Sequence, residues 1–179
     1  MQHRHALANL AQFRRNGSQI NLVFGLALAW PEDNAPLLRI LGEVPNVTMV
    51  KESTGDIQRM HRLQQLGEGQ VPFYNGCNPL ALEAFVAGAT GWCTAAANLI
   101  PALNQQLYQA VSDNDLERAR AVFYRQLPLL DFILKGGLPA TVKAGLGLTG
   151  LPVGEPRKPV FALDEAGCGR LQQLLEQMR

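Results

Sequence analysis

The chain carries almost no net charge, because 16 Lys and Arg side chains nearly balance 15 Asp and Glu side chains and leave a formal charge of +1. Such a chain offers no electrostatic attraction to nucleic acid or to an acidic membrane surface, so we expect neither as a partner. Long apolar runs are also lacking: the longest, residues 22–30, contains Gly25 and is too short to span a bilayer. The first residues lead into an amphipathic pattern and not into the apolar core of a signal peptide.

Cysteine and histidine are scarce, with three residues of each type and no Cys-x-x-Cys pair. An odd, widely spaced set of cysteines is typical neither of a disulfide framework nor of a zinc site. We therefore expect free thiols, a reducing compartment and a cytoplasmic location. The spacing of the histidines offers no metal-binding set either, so we expect no metal and no cofactor.

What the chain does contain is an alternation of strand and helix patterns with short connections, followed by helices only. Such alternation predicts an α/β fold with parallel strands joined by right-handed crossovers. It divides the chain into residues 1–100, an α/β unit, and residues 101–179, a helical region packed on it. Strands are predicted at 20–28, 47–51, 71–76 and 89–97, and helices at 3–15, 33–43, 57–66, 79–86, 101–112, 115–134, 141–148 and 164–178.

One lysine ends the second of these strands. Because side chains alternate along a strand, Val47, Met49 and Lys51 share one face, and a lysine follows two apolar residues on it. Two interpretations stay open at this point. Lys51 is either a lysine that ends a strand and extends its charge into water, or an amine held at the open end of a parallel barrel for chemistry.

A Gly-x-Gly-x-x-Gly pattern occurs at residues 145–150. A dinucleotide-binding fingerprint requires a strand before it and a long helix after it, whereas three prolines follow here within nine residues. We interpret these glycines as part of a helix that packs closely on a neighbour.

Several segments, in the right order, resemble the dihydrodipicolinate synthase / N-acetylneuraminate lyase family of pyruvate-dependent class I aldolases. Residues 50–56 resemble the strand with the Schiff-base lysine and its turn, and residues 88–98 resemble the eighth strand and its exit toward Pro101. One such motif would be weak evidence, but five in order are specific and cover roughly residues 35–179. The other three segments are residues 74–78, 139–146 and 156–159.

The resemblance implies the C-terminal half of a (β/α)8 TIM barrel, strands five to eight, followed by a C-terminal helical extension, in a homo-oligomer. The family's Gly-Thr-Thr-Gly-Glu loop and its proton-relaying tyrosine belong to the other half, and neither is found in this sequence. The family's usual Tyr-Asn-x-Pro tip on the fifth strand is also replaced, since residues 24–31 read Phe-Gly-Leu-Ala-Leu-Ala-Trp-Pro. We therefore expect a truncated chain.

The implied reaction is amine catalysis by a lyase or synthase. Lys51 would condense with the keto acid pyruvate to form a Schiff base, and the derived enamine would add to an aldehyde, or a 2-keto acid would be cleaved in reverse. The resemblance places Cys93 close to the bound keto acid and Gly76 and Asn78 at the second-substrate pocket. The alternative is a non-catalytic barrel fragment or interaction module that keeps only the fold.

Five further residues are assigned mainly structural roles. Glu52 points away from the site by alternation, while Ser53 and Thr54 are expected to orient the following turn or to satisfy the amides of the next helix. Trp92 is expected in the core, with a specificity role as the alternative. For Lys143, which matches a family position in the helical extension, we expect a structural ion pair.

Overall fold

The structure, a computed structural model, describes residues 23–25 and 35–178, and its strands form one parallel sheet in the order β1-β2-β3-β4. The predicted helix at residues 3–15 lies outside the described residues. The strands are β1 (Val23–Gly25), β2 (Met49–Glu52), β3 (Phe73–Asn75) and β4 (Gly91–Trp92). The helices are α1 (Ala35–Glu43), α2 (Ile57–Leu66), α3 (Ala81–Val86), α4 (Pro101–Ser112), α5 (Leu116–Gly136), α6 (Leu138–Leu148) and α7 (Glu165–Gln177).

The parallel pairing of consecutive strands confirms the predicted alternation, but β4 is shorter than predicted. The strand predicted over residues 89–97 is wrong beyond Trp92, because Ala95–Asn98 forms a 3-10 helix. Thr94 begins that turn by accepting a hydrogen bond from the Ala96 amide at 3.1 Å. A side-chain cap followed by three alanines favours a helical turn over an extended strand.

Helix boundaries follow capping residues that are recognisable in the sequence. Asp56 accepts a hydrogen bond from the Gln58 amide at 2.9 Å and begins α2, and Gly67 ends it, so the helix has the predicted bounds, residues 57–66. Asp115 and Asp164 begin α5 and α7 in the same way. Helix α6 begins earlier than the predicted residue 141. Gly137, at φ +82°, reverses the chain directly after α5 and lets a new helix begin at Leu138.

The main core lies between one face of the sheet and the helices. Val50 and Phe73 from the strands are fully buried in it together with Leu107 of α4 and Leu129 of α5. Burying a side chain of this size stabilises the fold by about 1.5–3 kcal/mol. The helical region therefore shares its core with the sheet. Leu116, the first residue of α5, is 44% exposed and does not share in this core.

The glycine pattern at residues 145–150 lies at the end of α6 and in the turn beyond it. A Cβ on Gly145 would lie 2.7 Å from Leu99 Cδ2, so the glycine permits close packing of α6 against the segment before α4. This contact confirms the packing interpretation of the pattern, and the proline-containing segment that follows excludes the dinucleotide fingerprint.

Candidate active site

The carboxyl ends of the parallel strands meet at one edge of the sheet, where Lys51 lies. Backbone pairing aligns Lys51 with Gly25 on one side and with Tyr74 on the other, and Tyr74 in turn with Gly91. Val50 and Glu52 are buried on the helix-facing side, whereas Lys51 and Tyr74 alternate with buried neighbours and are only half-buried. The row that contains Lys51 thus lies on the face opposite the helical core.

One residue predicted to share this face does not do so. Val47 precedes β2 and packs against Ile40 of α1, so strand alternation does not extend to it. Met49, the first residue of β2, lies two residues before Lys51 and therefore on the same face of the strand. Met49 and Lys51 together form a short face on the side of the sheet away from the helical core, and Lys51 is the last residue of that face.

Gly76 makes the space that Lys51 occupies. A Cβ at this position would lie 2.9 Å from Lys51 Cε and would overlap Ser53 Oγ. The side chain of Lys51 therefore extends across the end of β3 and not outward among the helices. The Gly76 amide donates to Glu52 O at 2.7 Å, which fixes this glycine one residue beyond the end of the strand.

Cys93 extends the backbone hydrogen bonds of the sheet one residue beyond the end of β4, as Gly76 does beyond the end of β3. Its amide donates to Asn75 O at 2.9 Å, and its free thiol is half-buried. By alternation Cys93 lies on the same face as Gly91, whereas Trp92 packs into the helical core with its ring edge-to-face against Phe85, the ring centroids 6.4 Å apart. The core interpretation of Trp92 is confirmed.

Asn78 connects the ends of β3 and β4. It is buried, and its Oδ1 accepts a hydrogen bond from Thr94 Oγ1 at 2.8 Å. The acceptor oxygen of Asn78 thus has a partner within the protein. Its placement next to Gly76 brings it to the same edge of the sheet as Lys51.

Two polar residues behind the strand ends, Asn75 and Cys77, were not assigned a role from the sequence. Asn75 is fully buried, and its side-chain amide holds both the amide and the carbonyl of Cys77, each at 2.9 Å. Burial raises the pKa of the Cys77 thiol, the nearby Glu52 carboxylate raises it further, and a hydrogen bond with the Leu80 backbone opposes both. The signal available in the sequence was an asparagine two residues after Phe73, on the same face of the strand by alternation.

The remaining sequence-based assignments have clear outcomes. Glu52 is 1% exposed and contacts Arg59 and the Thr54 amide, so its structural assignment is confirmed. The ion pair expected for Lys143 is wrong: its Nζ donates to the backbone carbonyl of Val153 at 2.9 Å. Within the described residues, no group of three or more His, Cys, Asp or Glu side chains could hold a metal ion. None of the described helices is long and apolar enough to cross a membrane.

The sequence model of the Dihydrodipicolinate synthetase family matches residues 37–178. The chain belongs to this family. A 4-hydroxy-tetrahydrodipicolinate synthase from Corynebacterium aurimucosum is 36% identical over 147 residues, which cover 82% of this chain and 48% of the relative. The corresponding enzyme from Archaeoglobus fulgidus is 30% identical over 142 residues, which cover 79% of this chain and 49% of the relative.

Solved structures of the dihydrodipicolinate synthetase family have the same fold. A homologue from Pseudomonas aeruginosa superposes with a TM-score of 0.86 at 64% identity, over 97% of this chain and 61% of that one. The dihydrodipicolinate synthase from Aquifex aeolicus, at 23% identity and a TM-score of 0.75 over 80% of this chain and 49% of that one, supports the fold alone. The chain thus spans about half the length of the curated relatives that it matches.

Proposed function

We propose that this chain carries the Schiff-base lysine of a pyruvate-dependent lyase or synthase, with Lys51 as the nucleophile. The observation that supports it is the position of Lys51: half-buried, at the carboxyl end of a parallel strand, and extended across Gly76 on the face opposite the helical core. This edge is where parallel α/β barrels carry their reactive side chains. In the described part of the chain the Lys51 amine has no salt bridge, so no carboxylate competes for it.

The reaction proceeds through an imine. The neutral Lys51 amine adds to the ketone carbon of pyruvate, and the resulting carbinolamine loses water to give a protonated Schiff base. This cation withdraws electrons from the adjacent methyl group, which loses a proton and becomes an enamine carbon. The enamine then attacks an aldehyde to form a carbon–carbon bond, or the reverse sequence cleaves a 2-keto acid. Hydrolysis of the imine releases the product and restores Lys51.

Ser53, Gly76 and Cys93 surround the position at which the adduct forms. Ser53 Oγ is buried, and among the described residues it has no hydrogen-bond partner, so it is available to an oxygen of the adduct. Gly76 keeps the approach to Lys51 open, and Cys93 supplies a side chain of moderate size on the next strand. Asn78 shapes the pocket for the second substrate through its fixed position beside Thr94.

We further propose that residues 1–100 form strands five to eight of a (β/α)8 barrel and residues 101–179 a helical extension, in a cytoplasmic homo-oligomer. The parallel four-strand sheet, the shared core and the free cysteines support this arrangement. The resemblance to the family implies pyruvate and an aldehyde as substrates, and no cofactor, because the lysine itself activates the ketone.

Borohydride reduction in the presence of pyruvate tests the proposal. We expect a stable mass increase on the peptide that contains Lys51, and its loss in the Lys51→Arg variant. The Lys143→Arg variant is the matched control, since Lys143 binds a backbone carbonyl in the helical region and should leave the adduct unchanged. A folded wild-type chain that gives no adduct at Lys51 would contradict the proposal.

That negative result would favour the second candidate, a non-catalytic barrel fragment or interaction module. Its supporting observation is the coverage of about half of the curated relatives, because half of a barrel contains only part of a family site. Circular dichroism and the temperature of unfolding distinguish this outcome from a misfolded sample.

A further inference from the structure

Glu52 holds the end of β2 through three separate contacts. Its Oε1 accepts the Thr54 amide at 2.7 Å, its Oε2 accepts Arg59 Nε at 3.3 Å, and its backbone oxygen accepts the Gly76 amide at 2.7 Å. One buried residue thus connects the loop after β2, the first turns of α2 and the end of β3. Buried carboxylates of this kind are stabilised only when each oxygen has a partner.

These contacts act on the neighbour of Glu52, which is Lys51. The two residues share a peptide group. The Gly76 amide donates the hydrogen bond that Glu52 O accepts, and a Cβ at Gly76 would lie 2.9 Å from Lys51 Cε. The carboxylate itself lies on the opposite face of the strand, against Arg59. Its negative charge is therefore balanced behind the sheet, and it does not pair with the Lys51 amine on the reactive face.

We propose that Glu52, supported by Arg59, is a positioning residue for the Lys51 amine: it fixes the end of β2 so that the amine lies across Gly76, clear of the carboxylates in the described part of the chain. This inference rests on the proposed function. It assigns Glu52 an effect on the Schiff-base step in addition to its effect on stability. A misplacement of about 1 Å at a reacting group can cost about 10²-fold in rate, so a modest shift of the strand end is sufficient.

The test compares two carbonyl compounds at the same lysine. Borohydride reduction with pyruvate reports an amine that is correctly placed in the site, whereas reduction with formaldehyde reports any accessible amine. Mass spectrometry gives the ratio of the two adducts at Lys51, with Lys135, Lys143 and Lys158 as internal references. Loss of global stability alone does not change this ratio below the temperature of unfolding.

We expect Glu52→Gln to lower the ratio of pyruvate to formaldehyde adduct about tenfold, because its amide places a donor against Arg59 Nε and displaces the strand end. Glu43→Gln is the matched control: Glu43 forms an exposed ion pair with Arg39 at 3.0 Å, and its loss should leave the ratio unchanged. If Glu52→Gln does not fold, Arg59→Gln is the second variant. It removes the contact between Arg59 and Glu52 but keeps the hydrogen bond from the Thr54 amide to Glu52, and it should also lower the ratio of pyruvate to formaldehyde adduct. Arg59→Lys should retain more of the ratio than Arg59→Gln.

The outcomes separate this inference from the proposed function. A wild-type chain without a pyruvate adduct at Lys51 overturns both. A wild-type adduct together with an unchanged ratio in Glu52→Gln and Arg59→Gln overturns the positioning role alone, even if both variants melt at lower temperature. A lowered ratio in folded variants, with the Glu43→Gln control unchanged, supports it.

Discussion

Asn104 of α4 donates a hydrogen bond to Gln126 of α5 over 2.7 Å inside the interface of the two helices, where Gln126 is fully buried. The second polar atom of each amide, Asn104 Oδ1 and Gln126 Nε2, has no partner among the described residues. The pair therefore satisfies only part of the hydrogen-bonding capacity that it buries. Its contribution must lie more in fixing how the helices align than in net stability.

Replacing one member of this pair should cost more than replacing both. We expect Gln126→Leu alone to lower the free energy of unfolding by about 1–3 kcal/mol, because the buried Asn104 side chain then loses its hydrogen bond to Gln126. The double variant Asn104→Leu/Gln126→Leu should recover most of that loss. Urea unfolding of the two single variants and the double variant measures the coupling, and additive effects would contradict the prediction.

Substituting Gly76 should damage both fold and reaction. In Gly76→Ala the new Cβ overlaps Ser53 Oγ and crowds Lys51 Cε, so we expect a loss of about 1–3 kcal/mol of stability and a lower yield of pyruvate adduct. Gly147→Ala is the control, since among the described residues nothing outside its own helix backbone and its chain neighbours lies within 4 Å of a Cβ there, and the helical position should gain about 0.5–1 kcal/mol. If Gly76→Ala and Gly147→Ala melted at the same temperature, the space left by Gly76 would not be required for stability.

The Cys77 thiol should resist alkylation near neutral pH. Burial and the Glu52 carboxylate raise its pKa, so the thiolate that reacts forms only at higher pH than in an ordinary cysteine. Iodoacetamide labelling followed by mass spectrometry over a pH series measures this. Glu52→Gln should shift the labelling curve of Cys77 to lower pH, because one of the causes is removed. A curve at or below the ordinary thiol range would be inconsistent with this environment.

The raised pKa of the Cys77 thiol also determines how the stability of the fold changes with pH. A thiol whose pKa is raised in the folded state contributes stability that is fully present below the unfolded pKa, about 8.5, and is lost as pH rises through the folded value. The Cys77→Ser variant should therefore show a weaker loss of melting temperature above that pH than the wild type.

Asp113 should titrate below the range of a free aspartate. Hydrogen bonds from Gln109 and Arg118 lower its pKa, the one from Gln109 most strongly. The stability that it contributes is present above the unfolded pKa, about 3.9, and is lost as pH falls through the lower folded value. NMR titration of the Asp113 carboxyl carbon in the wild type and in Gln109→Ala checks this, and the pKa should rise in the variant.

The sequence was sufficient to place Lys51 because the relevant signals are local. Strand alternation, the Asp56 cap and the Gly67 stop together fix where the second strand ends and the next helix begins. The same alternation of side chains along the strand assigned Glu52 to the face opposite that of Lys51. These features depend on neighbours within about ten residues, and propensity and capping describe such neighbours well.

The features that the sequence did not predict depend on contacts between distant segments. The Asn78–Thr94 hydrogen bond joins two strand ends, and the Lys143 contact with Val153 depends on the path of a proline-containing segment. The fourth strand ends earlier than predicted because the Thr94 side chain caps a helical turn directly after it. In each case a polar side chain forms a hydrogen bond whose partner cannot be predicted from strand or helix periodicity.

The sheet hydrogen bonds continue past the ends of β3 and β4 to the amides of Gly76 and Cys93. These backbone hydrogen bonds therefore hold the ends of both strands in place at the edge of the sheet where Lys51 lies. The thiol of residue 93 can consequently be exchanged for smaller or larger groups while the framework that supports it stays in place. If Lys51 acts as proposed, changes in keto-acid preference can arise at that single position without displacing the strand end that carries the amine.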